Sequence, residues 1–292
     1  MSKKILSILL AIFVLGLGQS VYAMKIGLID GANEVTVGVS NDAQLISPLH
    51  NSSFYTLRAM KPYLFKATDN TISIYLNSQW FNLNISRLVV KPPEKSFVSA
   101  KKRWYRGDFI IENRNNQLVV VNDVSIEDYI LGVVPAEMPS KWSYEALKAQ
   151  AIAARSYAIA NRGKRANRGY DLKDTPEDQA YGGASSETAS TNSAVLETKG
   201  VVITYNQKVI PAYYSASAGG HTTKSGAIWN KDLPYLKAVP SFDDDVKKNG
   251  HGLGMSQHGA NNLAKQGYNA YQILAYYYND IKFGKLDPAW KL

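Results

Sequence analysis

The chemistry in this chain starts with one carboxylate. Glu137 stands in Gly132-Val133-Val134-Pro135-Ala136-Glu137-Met138-Pro139, between two prolines and just ahead of an alanine-rich stretch. Few neighbours there would solvate a charge. Burial raises a carboxylate's pKa toward the range where it can deliver a proton as a general acid. Two later segments have the composition of ligand-binding loops. They are Tyr213-Tyr214-Ser215-Ala216-Ser217-Ala218-Gly219-Gly220-His221-Thr222 and Asn249-Gly250-His251-Gly252-Leu253-Gly254-Met255-Ser256-Gln257-His258-Gly259. Dense glycine lets backbone approach a ligand closely, and Ser, His and Gln offer the neutral hydrogen bonds that a sugar needs. The two loops hold three of the chain's four histidines.

Two other chemistries fit the residues less well. His221, His251 and His258 could form a three-histidine zinc site. The chain has no HExxH-type pairing and no cysteine, so no metal or other cofactor is expected. Ser215 and Ser217 could serve a Ser-His-Asp triad, but no G-x-S-x-G elbow surrounds them.

These residues need a scaffold. From Met24 to about Val121 the chain reads as short β-branched strands, among them Thr36–Val39, Thr71–Leu76, Phe109–Ile111 and Leu118–Val121, separated by Asn/Asp turns. Pro92-Pro93 marks a break between a small N-terminal β region and the rest. Glu127 to Val133 reads as a short helix or strand entering a turn that carries Glu137. A helix is expected from about Tyr144 to Asn161, N-capped by Ser143 and nearly without bulk, so that neighbours pack close to its backbone. Gln150 and Arg155 are its odd polar members and brace something or form a solvated stripe. Strands at Thr198–Tyr205 and Lys208–Tyr214 suggest a hairpin around Asn206-Gln207. Helices are expected at about Ser256–Lys265 and Ala270–Tyr278. The fold class is therefore α+β, with a small β region at residues 24–100 and a second domain at 101–285 built on the alanine-rich helix.

Composition bounds the setting. Of 292 residues 45% are hydrophobic and 20% charged, which excludes disorder and a multi-span membrane protein. Residues 1–23 have the pattern of a secretory signal: Lys3 and Lys4, an apolar run from Ile5 to Gly18, and a small-residue end at Val21-Tyr22-Ala23. No second apolar stretch of membrane-spanning length follows, so no stable span is expected after cleavage. An uncleaved N-terminal anchor is the alternative. The formal net charge is +9, and loss of Lys3 and Lys4 takes two off it. A secreted basic protein suits an anionic polymer such as the cell wall. Nucleic acid is not expected, because Lys101-Lys102-Arg103 and the run from Arg162 to Arg168 form no continuous basic stripe.

Several long motifs, in order, resemble the SpoIID/LytB family, which comprises the stage II sporulation protein D lytic transglycosylases and the related amidase enhancers. They are Asp128 to Pro139, Trp142, Glu145 to Ala158, Asp178 to Gly183, Tyr214 to Gly220 and Gly250 to Ala260. The resemblance runs from about Tyr105 to Phe283. It implies a SpoIID-like peptidoglycan-cleaving domain that breaks the MurNAc–GlcNAc bond without water. Glu137 falls on the family's catalytic Glu. It would protonate the glycosidic oxygen and then, as carboxylate, take the proton of the sugar's own C6 hydroxyl, closing a 1,6-anhydro ring. Ordinary hydrolysis wants two carboxylates flanking the bond. Here the intramolecular hydroxyl replaces the water, and its proximity supplies part of the rate. The resemblance also implies a substrate-binding set. Tyr214, Ser215 and Ser217 would bind glycan or stabilise charge, and His251, Ser256 and Gln257 would orient sugar hydroxyls. Arg155 and Gln179 would brace Glu137 or its loop, although Arg155 has a rival reading as a structural ion-pair partner. The partners implied are peptidoglycan strands and a cell-wall amidase, in the periplasm or wall. Some relatives carry a Cys-containing metal site, which a chain without Cys cannot form. The alternative function is a non-catalytic wall-binding enhancer of an amidase. A metal-dependent hydrolase is a third reading, and it predicts inactivation by chelator.

Overall fold

A computed structural model of the chain describes residues 22–229 and 232–286. The first half is a series of short strands: β1 (Ala23–Ala32), β2 (Glu34–Val39), β3 (Ala43–Ser47), β4 (Ser52–Leu57), β5 (Pro62–Thr68), β6 (Thr71–Leu76), β7 (Gln79–Asn82), β8 (Arg87–Lys91), β9 (Val98–Ala100), β10 (Arg103–Tyr105), β11 (Asp108–Arg114) and β12 (Gln117–Ser125). With β13 (Leu172–Lys173) they form two sheets. One runs β13-β1-β12-β11-β8-β3-β4 and the other β10-β9-β2-β5-β6-β7. Period-two burial turns Val35, Val37 and Val39 inward on β2, and Leu88 and Val90 inward on β8. The inward residues of both sheets join a single core cluster.

The boundary expected near residue 100 falls inside paired structure. β9 and β10 form a hairpin across it, and β1 pairs along its length with β12, about a hundred residues later. The β region is thereby woven into the sheet that supports the rest. Of the expected leader, residues 1–21 lie outside the described residues. Tyr22 is buried, and β1 begins at Ala23.

The second half is built on helices: α1 (Ile126–Glu137), α2 (Tyr144–Ala160), α3 (Ala189–Glu197), α4 (Gln257–Lys265) and α5 (Ala270–Tyr277). The alanine helix α2 is central, with α1, α3, α4, α5 and the strand β14 (Val201–Tyr205) packed around it. Its alanines are fully buried from Ala146 to Ala158. Ser143 occupies the N-cap position expected of it but makes no capping bond with its side chain. β14 pairs with β15 (Lys208–Val209) through a turn whose Asn206 and Gln207 both adopt positive φ, as a tight hairpin requires. The second strand of that hairpin is shorter than the sequence suggests. The chain leaves the ladder and reappears as β16 (Tyr214–Ser215), parallel to β17 (Met255–Ser256). β18 (Lys282–Lys285) closes the sheet on β14. Among the described residues no helix is long and apolar enough to cross a membrane.

Candidate functional site

The sequence places Glu137 on a stiff turn. The structure places it at the last residue of α1. Ser125 caps that helix by accepting from the Asp128 N–H at 3.1 Å, and Glu127 and Asp128 sit in the first turn near the positive end of the dipole. Pro135 lies inside the final turn, where it removes one backbone donor. The helix survives because its apolar residues, from Tyr129 to Val134, are buried. Met138 then turns extended, and its N–H closes the helix on the Val134 carbonyl at 3.0 Å. Gly132 lets this helix lie against the 181–183 segment, because any Cβ there would strike the Tyr181 ring.

Glu137 is half-buried, and burial pushes its pKa upward. A carboxylate at a helix C-terminus is disfavoured in the same direction. Three donors oppose this. The Ala180 N–H reaches Oε1 at 2.7 Å, and the Tyr214 hydroxyl and the Gln257 amide also donate to the carboxylate. The net result is a raised pKa on an acid whose ionised form is still well met by hydrogen bonds. A group that must give a proton and then accept one needs both properties.

The donors are themselves fixed. Gln179 is fully buried. Its Oε1 accepts from the Tyr129 hydroxyl at 3.3 Å, and its Nε2 donates to the Ala154 carbonyl at 3.2 Å and to the Tyr214 oxygen at 2.9 Å. With its oxygen accepting a hydrogen bond from the Gln179 amide, Tyr214 turns its own O–H toward Glu137. Burial and the Glu137 charge hold the Tyr214 hydroxyl protonated, far above its ordinary pKa. Gln257 Nε2 donates in turn to Gln150 Oε1 on α2 at 3.3 Å.

Glu137 lines a cleft of about 510 Å³. Tyr214, Ser215, His251 and Gln257, all expected from the sequence, share it. The Ser215 hydroxyl is buried without a partner. Leu253 N–H donates to His251 Nδ1 at 2.9 Å, which puts the imidazole proton on Nε2, and burial followed by Lys248 lowers its pKa. His251 is therefore a neutral donor rather than a cation. Tyr157, Tyr213 and Trp229, which the sequence reading left out, build an aromatic wall. Tyr213 meets Tyr157 at 5.6 Å and Trp229 at 4.6 Å between ring centroids. Such a wall suits the apolar face of a sugar ring. The clue was present in the sequence, since Tyr157 and Tyr213 lie within or beside the quoted motifs. The other two histidines are elsewhere: His258 packs edge-on to Trp142, and His221 is exposed.

Glu177 and Asp178 also line the cleft. Both are neutralised. Asp178 accepts from Lys164 Nζ at 2.6 Å, Arg165 Nε at 2.5 Å and the Lys173 N–H at 2.8 Å, which hold its carboxyl below the usual range. Glu177 is exposed and paired with Lys173. Neither is a free base for activating water.

Two expected ligand-binding residues turn out to be structural. Ser217 and Ser256 are fully buried and meet at Asp243, which is itself fully buried. Asp243 Oδ2 accepts from Ser217 Oγ at 3.0 Å, Ser256 Oγ at 2.5 Å and the Ala218 N–H at 2.7 Å. Its Oδ1 accepts from the Gly220 N–H at 2.8 Å and from Ser241 Oγ. Despite burial, these donors hold its pKa down at about 2. Ser256 also N-caps α4, accepting from the Gly259 N–H at 3.1 Å, which leaves no hydroxyl for a ligand. Asp243 thus ties the two glycine loops together behind the cleft. Gly254 assists at φ +65°, in contact with the Tyr213 carbonyl, where a side chain would clash.

Arg155 is the clearest correction. Its side chain has no exposed surface. It grips Glu127 at the start of α1 with two bonds of 2.9 and 2.8 Å, and donates to the Val201 carbonyl at 3.1 Å. It touches neither the cleft nor Glu137. Gln179 does brace the site, through Tyr214, but from behind and without meeting the cleft itself.

The chain is similar to known proteins along part of its length. Residues 114–205 match the model of the SpoIID family, described as stage II sporulation protein. The chain is 40% identical over 190 residues to the amidase enhancer of Bacillus subtilis (strain 168), covering 62% of this chain and 26% of that protein. It is 40% identical over 136 residues to an uncharacterized protein of Brachyspira hyodysenteriae, covering 46% of this chain and 37% of that one. With the stage II sporulation protein D of Bacillus subtilis it shares 27% identity over 262 residues, covering 57% of this chain and 76% of the relative. The chain thus spans only about a third or less of the first two relatives.

Proposed function

We propose that this relative of the SpoIID/LytB family is a peptidoglycan lytic transglycosylase, with Glu137 as general acid and then general base. The observation that carries the reading is the environment of Glu137. It is a half-buried carboxylate with a raised pKa, on the wall of an aromatic-lined cleft, with three donors ready for its ionised form. Protonated, it would deliver its proton to the MurNAc–GlcNAc oxygen. Ionised and held by Ala180, Tyr214 and Gln257, it would take the C6 hydroxyl proton as the 1,6-anhydro ring closes. The other carboxylates on the cleft are held in ion pairs, which favours an intramolecular nucleophile over activated water. His251 and Gln257 would orient sugar hydroxyls, with Ser215 beside them.

The reading places the protein beyond the cytoplasmic membrane, with residues 1–23 as its leader. Residues 101–285 act on glycan, supported by the strands of 24–100. The test is mass spectrometry of glycan fragments released by wild type and Glu137→Gln. Anhydro-ended products from wild type, reduced about 10³-fold in the variant, support it. Reducing-end products, or none from any peptidoglycan, overturn it.

A second reading rests on the 40% identity to the Bacillus subtilis amidase enhancer. In that reading the cleft holds glycan without cutting it and the partner is a cell-wall amidase. Glu137→Gln would then stimulate an added amidase as well as wild type does.

A further inference from the structure

A second pocket, of about 570 Å³, adjoins the first at the segment that carries Pro176 and Ala180. Pro176 lines both pockets. Glu137 faces the first, while its neighbour Ala136 and its hydrogen-bond donor Ala180 face the second. The Glu137–Ala180 contact is thus the partition between them. The strand-rich part of the chain supplies the basic rim of the second pocket. The β9–β10 hairpin turns at Lys101-Lys102 with positive φ, and so brings Lys101 and Arg103 to the edge.

The charges there are unequal in their freedom. Lys101 is committed: its Nζ meets the buried Asp174 Oδ2 at 2.6 Å and the Leu28 carbonyl at 3.0 Å. Arg103 is exposed and forms no ion pair among the described residues; the groups it meets there, the Tyr181 carbonyl at 3.4 Å and the Tyr105 hydroxyl, are neutral. On the same lining the Thr175 hydroxyl is buried without a partner. A guanidinium without an anionic partner and an unsatisfied hydroxyl on one lining match a carboxylate, which takes the planar fork in two parallel bonds and can accept a third from the hydroxyl.

We propose that this second pocket binds a carboxylate-bearing branch of the glycan, with Arg103 as its anchor and the Thr175 hydroxyl as a further donor. The inference rests on the reading of the first cleft as a peptidoglycan site. A strand occupying the first cleft would carry its substituents over the partition, so Arg103 would report what hangs from the sugar next to the bond at Glu137. Two sources in peptidoglycan offer that chemistry: the free lactyl carboxylate of a stripped MurNAc, and the carboxylates of an attached stem peptide.

The test measures equilibrium binding to Glu137→Gln and to Glu137→Gln/Arg103→Gln, so that no turnover intervenes. The ligands are a carboxylate-free chitooligosaccharide, a peptide-free glycan of alternating GlcNAc and MurNAc of the same length, and that glycan with stem peptides. The single variant is expected to bind one of the carboxylate-bearing glycans about tenfold more tightly than the chitooligosaccharide. The preferred one identifies the source. Arg103→Gln abolishes the preference and leaves chitooligosaccharide binding unchanged. Equal binding of all three ligands, or a preference untouched by Arg103→Gln, overturns the pocket while leaving the transglycosylase reading in place. Failure of every glycan to bind overturns both.

Discussion

The Gln179 amide donates to the Tyr214 oxygen at 2.9 Å, and this bond decides which way the tyrosine proton faces. Gln179 has no freedom to reverse, because Tyr129 donates to its oxygen while Ala154 and Tyr214 accept from its nitrogen. The protonated Tyr214 hydroxyl is therefore a fixed donor to Glu137.

Tyr214→Phe removes that donor. The Glu137 carboxylate loses stabilisation while its protonated form does not, so a pKa already raised by burial rises further. Because the proposed first step needs Glu137 protonated, the alkaline limb of kcat/KM is expected to move to higher pH. Maximal kcat is expected to fall about tenfold, since the anion that the proposed ring closure requires is less well held. A pH-rate profile on purified glycan checks both; a limb that stays put or moves down contradicts the account.

If Gln179 acts only through Tyr214, the two are not additive. Gln179→Leu is expected to lower kcat by about the same factor as Tyr214→Phe, and the double variant to fall no further. Each single variant and the pair, assayed at one pH, make the cycle. Losses that multiply would give Gln179 a role of its own.

Much of this site was legible in the sequence, and the parts that were not share a cause. Glu137, Tyr214, Ser215, His251 and Gln257 come together as their motifs suggested, since each motif sets polar side chains on a glycine-rich or apolar segment where the backbone can approach a ligand. The proline pair misled about the backbone: Pro135 is tolerated in the last helical turn because the apolar side chains before it are buried, which local propensity does not reveal. Ser217, Ser256 and Arg155 are polar residues serving distant partners. Asp243 lies 26 residues from Ser217, and Glu127 lies 28 from Arg155. Nothing in the local pattern separates a hydroxyl that meets a ligand from one that meets a buried carboxylate. The same limit hid the sheet, whose pairing of β1 with β12 depends on contacts between segments about a hundred residues apart.

Asp243 yields a prediction in stability. Its folded pKa of about 2 lies below its ordinary 3.8, so the stabilisation it provides is complete above about pH 4 and is lost as pH falls through about 2. The linkage is worth about 2 kcal/mol. Asp243→Asn, which sets an amide against five donors, is expected to cost about 2–4 kcal/mol at pH 7. The gap to wild type should narrow between pH 4 and 2 in denaturant titrations. A gap that is constant with pH would mean the carboxylate charge is not what joins the loops.

Arg155 separates folding from catalysis. Its guanidinium, without exposed surface, faces a Glu127 that is itself only partly solvated and also accepts from the Gly200 N–H at 3.0 Å. Arg155→Met leaves that carboxylate without its cation at the start of α1, the helix that carries Glu137 at its other end. The expected cost is about 3–5 kcal/mol. Replacing both partners, as Glu127→Gln/Arg155→Met, removes the stranded charge and is expected to recover part of that loss, because an apolar or neutral pair avoids the desolvation that a lone buried ion suffers. Thermal melts of the two variants and of wild type measure the recovery. KM for glycan in the folded fraction should match wild type in both variants, since Arg155 does not line the cleft. A raised KM with an unchanged melting temperature would return Arg155 to the binding set where its motif first suggested it.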